Sequence, residues 1–148
     1  MVPQEPLEPA AQQEIDPFEL DRRHGLTVPA WYGPAMDASL AAGLVLLRER
    51  AWFAAHEAFE TAWRAAPQGE RDFLQGLVHV AVAWYQAERG RRIGCERQLE
   101  KAARRLGPYA PVHRGVAVDH LLREVGAAQQ VVAGGSLELR PLRVDPPR

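Results

Sequence analysis

The amino-acid sequence predicts an all-α protein, a single-domain antiparallel bundle of about five helices. Three observations predict it. Apolar residues recur at helical spacing in five successive stretches between positions 37 and 133. The breaks between them are mostly short and rich in Pro, Gly or Arg, such as Pro67-Gln68-Gly69 and Gly107-Pro108. The tail at 137–144, Leu-Glu-Leu-Arg-Pro-Leu-Arg-Val, alternates like a short extended segment, but a lone strand has no pairing partner inside a helical domain.

Composition bounds the function classes. At 148 residues the chain is one domain with room for a sizeable core. Hydrophobic content of 47% and charged content of 25% are ordinary globular values. The net charge of −1 gives no electrostatic footprint for nucleic acid or an anionic membrane, so neither is an expected partner. The basic residues are arginines apart from Lys101. Cys95 is alone, which excludes an intrachain disulfide and a cysteine-based zinc site. No apolar run approaches the ~18 residues of a membrane span. The N-terminal stretch has no basic leader followed by an apolar core, so no secretory signal is expected and the cytoplasm is the expected compartment.

Residues 1–17 are rich in Pro, Glu and Gln and read as a flexible arm. Residues 18–36 read as an extended lead-in that lays Phe18, Leu20, Trp31 and Tyr32 on the bundle. The bundle then runs from 37 to 133, and 134–148 form an extended tail. Helix 1 is expected at about 37–48, with Asp37 as N-cap and Leu40, Leu44 and Leu47 as its stripe. Helix 2 follows at about 51–65 and stops before Pro67. So short a link makes the pair a hairpin. Helix 3, about 70–89, carries a wide apolar face and a polar stripe of Asp72, Gln75, His79 and Gln86, bordered by Gly76 and Ala83. A glycine inside a helix costs about 1 kcal/mol against alanine, so Gly76 implies a close approach to the backbone. Gly90 caps helix 3. Helix 4, about 92–106, turns Leu99, Ala102, Ala103 and Leu106 inward and many arginines outward. A loop at 107–117 leads to helix 5 at about 118–132, which Gly134-Gly135 ends.

The stretch 52–63, WFAAHEAFETAW, is the chemically richest. At about 100° per residue, Phe53, His56, Glu60 and Trp63 share one helix face. Such a mixture is neither a plain core face nor a plain solvent face. It predicts a polar cluster inside the bundle, with Gln75, Gly76 and His79 of helix 3 opposite. The motif Phe53-x-x-His56-Glu57-x-x-Glu60-x-x-Trp63, followed by Asp72-Phe73-Leu74-Gln75-Gly76-Leu77 and then Arg89-Gly90, resembles the prokaryotic family named "domain of unknown function 309". The resemblance covers about residues 37–130. It implies a bundle of about five helices and no established activity, substrate or cofactor. The signature positions it carries over are His56, Glu57, Glu60, Trp63, Gln75 and Gly76. His79 departs from the pattern, where glutamine is expected.

Four chemistries are open to the cluster. His56 and Glu60, one turn apart, could hold a divalent metal with Gln75 and His79, and with His113 or His120 if the later loop folds over. A zincin needs His-Glu-x-x-His, however, and here Glu60 stands in the second histidine's place. His56 with Glu60 or Glu57 could act as a metal-free acid–base pair. A buried network of His56, Glu60, Trp63 and Gln75 could instead fix helix 2 against helix 3. Finally, Trp31, Tyr32, the arm and the tail could make contacts with a partner or a second copy, and Arg89, Arg91, Arg92, Arg97, Arg104 and Arg105 could meet an anionic one. The sequence favours a non-catalytic binding or interaction module with a buried His-Glu-Trp-Gln cluster and no cofactor. The alternative is a hydrolase-like metal-dependent enzyme using His56 and Glu60 with His79.

Overall fold

The computed structural model describes residues 37–144. The expected arm, the lead-in with its four large apolar residues, and residues 145–148 lie outside the described part.

The described chain is a helical bundle, as the periodicity predicts. Helix α1 spans Asp37–Arg48, α2 Trp52–Ala65, α3 Arg71–Glu88, α4 Arg92–Leu106 and α5 Val118–Ala133. Each helix packs mainly on its neighbours in sequence, and α3 packs most extensively, on α4 and then α2. Short connections enforce that order. At the first, Arg50 takes a left-handed φ of 64°, and the Ala51 N–H donates back to the Leu46 carbonyl at 2.9 Å. Gly90, with φ 72°, makes the corresponding turn after α3 without the clash a side chain would bring.

The core explains the pattern of leucines and alanines. Leu40, Leu44 and Leu47 of α1, Phe59 of α2, Phe73, Leu74 and Leu77 of α3, Leu99 and Leu106 of α4, and Leu121 and Val125 of α5 are all buried. Two glycines set the helix spacings. A Cβ at Gly43 would clash with the edge of the Phe59 ring, and one at Gly76 would lie 2.6 Å from Leu106 Cγ. The close approach that Gly76 implies is therefore the α4 side chain Leu106.

The loop differs from the sequence reading, and the tail takes one of the courses open to an extended segment. The loop at 107–117 is ordered as a 3-10 turn, Gly107–Tyr109, and a small antiparallel hairpin, β1 Val112–His113 and β2 Val116–Ala117. Gly107 therefore does not stop the chain's winding but continues it into a tighter turn. Arg114 and Gly115, with φ of 48° and 79°, form the hairpin's two-residue turn. The tail lies along the bundle rather than as a strand. Leu142 and Val144 are buried, the Trp84 indole N–H donates to the Arg140 carbonyl at 2.8 Å, and the Arg143 N–H donates to Glu124 at 3.0 Å. Among the described residues no helix is long and apolar enough to cross a membrane.

Candidate functional site

Helix α2 begins at Trp52, one residue after the sharp turn at Arg50, and this phase decides which side faces in. Trp52, Ala55, Ala58, Phe59 and Ala62 are its buried residues. The polar–aromatic face therefore points to the rim. Phe53 is 58% exposed. The side chains of His56 and Glu60 are 25% and 42% exposed, and Trp63 is half-buried. This corrects the expectation of a buried His-Glu-Trp-Gln cluster. The core tryptophans are Trp52 and Trp84, with rings 6.3 Å apart. Their indole N–H groups are tied to Glu88 Oε2 at 2.6 Å and to the Arg140 carbonyl at 2.8 Å.

On that rim the side chains form two groups of contacts along one strip. The Phe53 ring stacks on His56 at 5.7 Å and tilts against Tyr85 of α3 at 6.3 Å. The Arg89 guanidinium covers Tyr85 at 5.2 Å, and Arg71 covers Trp63 at 4.7 Å. His56 Nε2 and Glu60 Oε2 lie 3.3 Å apart, and Arg64 stands 3.8 Å from the other carboxylate oxygen. The hydrogen bond from His56, with the Arg64 charge beside it, outweighs partial burial and holds the Glu60 carboxyl below its ordinary value. His56 Nδ1 is covered and has no partner. Glu57 is exposed.

The polar stripe of α3 faces elsewhere. Asp72 accepts from Arg105 at 2.6 Å, and His79 Nδ1 sits 2.7 Å from Gln98 Oε1, both across the α3–α4 seam. Gln75 is half-buried and makes no hydrogen bond with His56 or Glu60 among the described residues. His79 is engaged with α4 and does not join His56 and Glu60, and no three His, Cys, Asp or Glu side chains among the described residues converge to hold an ion. His113 pairs with Glu70 at 2.8 Å and His120 with Glu124 at 3.0 Å, so neither reaches the α2 face. His56 and Glu60 thus stand together on α2, while His79 is engaged at the α3–α4 seam. Burial pushes the His79 imidazole below its ordinary value against the pull of Gln98, and Arg105, Lys101 and Arg104 push it further down.

Residues 40–98 match a family model described as Domain of unknown function (DUF309). The matched stretch runs from within α1 through α2 and α3 into the first half of α4, and so contains the whole aromatic strip and the His79–Gln98 pair. Neither the curated proteins nor the solved structures contain a match to the chain.

One polar cluster went unread in the sequence. Glu70, at the α2–α3 turn, accepts from Arg114 Nε at 2.7 Å and pairs with His113 Nε2 at 2.8 Å. Phe73, Tyr109 and His113 pack ring on ring beside it at 4.7–5.4 Å, and the Tyr109 hydroxyl donates to the Gly69 carbonyl. Burial alone would raise the Glu70 carboxyl, but Arg114 and His113 together bring it below its ordinary value. This latch joins residues about 40 positions apart, and no local spacing announces it.

Proposed function

We propose that this protein is a non-catalytic binding module whose contact surface is the α2–α3 rim. The observation that carries the reading is Phe53, an aromatic 58% exposed yet fixed between His56 and Tyr85. Single exposed apolar residues are ordinary. A pre-placed row of Phe53, Tyr85 and Trp63, with Arg89 and Arg71 laid on the last two, is different. Tyr, Trp and Arg are the side chains on which interface energy concentrates. Rings that neighbours already hold lose less freedom when a partner docks. The His56–Glu60 pair adds a polar contact at the centre of the row. The lone cysteine, without any disulfide framework, supports a reducing, cytoplasmic setting.

The test is a photo-crosslinking residue placed at Phe53, with the same residue at Glu100, exposed on α4, as control, each in the producing cell. Discrete adducts at 53 that are absent at 100 are expected. No adduct at 53, or the same products from both positions, contradicts the reading. A metal assay on untagged protein separates the enzyme alternative. A stoichiometric ion that is lost in His56→Ala while the fold persists would replace the module with a metal enzyme.

A further inference from the structure

We propose that the outer seam between α3 and α4, apart from the rim just described, binds a phosphate-class oxyanion that carries a proton. His79 Nε2 accepts the hydrogen bond from that proton, and Lys101, Arg104 and Arg105 hold the negative charge.

The argument starts from the imidazole. His79 is 8% exposed, the one polar residue among the described ones that is counted as buried. Its Nδ1 lies 2.7 Å from Gln98 Oε1. A carboxamide oxygen only accepts, so Nδ1 carries the hydrogen and Nε2 presents a bare lone pair. That lone pair is covered and has no partner. Buried polar atoms are nearly always paired, and an unmet acceptor points to a missing donor.

The surroundings define the donor. The charged groups acting on His79 are Arg105, Lys101 and Arg104, all cationic. Asp72, the carboxylate at this seam, is occupied by Arg105 at 2.6 Å, and Arg105 Nε is itself covered and unpartnered. Lys101 and Arg104 make no ion pair with the described residues. A covered lone pair on a seam whose acting charges are these cations calls for a group that is anionic and also has an O–H to give. Hydrogen phosphate and the monoanion of a phosphomonoester meet both conditions, whereas sulfate and ionised carboxylates lack the proton at neutral pH. Leu106 fills the space against Gly76, and the proposed ligand is placed on the outer side of the seam. There the half-buried Lys101, a charge on a flexible stem, can swing to admit it.

The experiment follows the His79 ring by NMR in the isotope-labelled full chain while inorganic phosphate or sulfate is added at about pH 7.5, where only phosphate keeps a proton. A saturable His79 shift with phosphate is expected, with sulfate about tenfold weaker because it leaves Nε2 unmet. Lys101→Ala, a change of a half-buried surface residue, should weaken phosphate binding severalfold with the fold intact. Equal responses to the two anions, no saturable shift, or wild-type phosphate affinity in Lys101→Ala would each overturn the proposal. His79→Gln should abolish the preference for phosphate. If that variant does not fold, the anion comparison and Lys101→Ala decide the question. Methyl phosphate at about pH 5.5, as a monoanion, distinguishes the source. Its binding assigns the seam to phosphomonoesters, and its failure beside bound phosphate assigns it to the free ion.

Discussion

Two tryptophans with the same side chain have opposite roles here. Trp52 is buried, and its N–H is held by Glu88 at 2.6 Å. Trp63 is half-buried beneath Arg71. Glu88→Ala leaves a buried indole N–H without a partner and should cost about 1–3 kcal/mol. Trp63→Ala removes a ring that already meets solvent and should cost less than the ~3–5 kcal/mol of a core aromatic. Urea denaturation of both variants checks the order. A loss at Trp63→Ala of the full core magnitude would return that ring to the interior. The sequence could not assign these roles. Trp52 and Trp63 lie eleven positions apart on one helix, about 20° apart around it, so a wheel puts them on nearly the same side and only the neighbours at each end of the helix decide which is covered. The pairing expected between His56 and Gln75 failed for the same reason: a helical wheel groups residues on one helix but does not say which neighbour they meet.

The helices themselves were legible. Their bounds follow Pro67, Gly90 and Gly134, residues whose backbone chemistry ends a helix whatever surrounds it. The segment at 107–117 was legible only as a break. Its order comes from the Glu70 latch and from Phe73, Tyr109 and His113, contacts that bring α3 to the hairpin across the length of α4. The latch has a pH signature. The folded Glu70 carboxyl lies below the ordinary value of 4.5, so its contribution is present above about pH 4.5 and is lost as pH falls through the lower folded value. Glu70→Gln should therefore flatten the loss of stability on acidification in that window, and thermal melts of both proteins from neutral to about pH 3 check it. An unchanged acid dependence would show that Glu70 is not the group that senses it.

Across the whole molecule the fold class followed from periodicity, and the placement of chemistry did not. The stretch His56–Glu60–Trp63 mixes aromatic and ionisable side chains, and such a mixture suits an interior network as well as a half-wet rim. Burial separates the two, and burial depends on neighbours that no local window contains. The structure turns Ala55, Ala58, Phe59 and Ala62 inward and leaves Phe53 with His56 and Glu60 at the surface. The tail then covers the far side through Leu142 and Val144. A binding face on α2 requires this orientation, so the most direct test compares Phe53→Asp with Phe59→Ala by equilibrium denaturation. Phe59→Ala should lose about 3–5 kcal/mol through the cavity it opens, and Phe53→Asp should stay within about 0.5 kcal/mol of wild type, as exposed substitutions do. A Phe53→Asp protein destabilised as much as Phe59→Ala would contradict the account, because the strip would then be core.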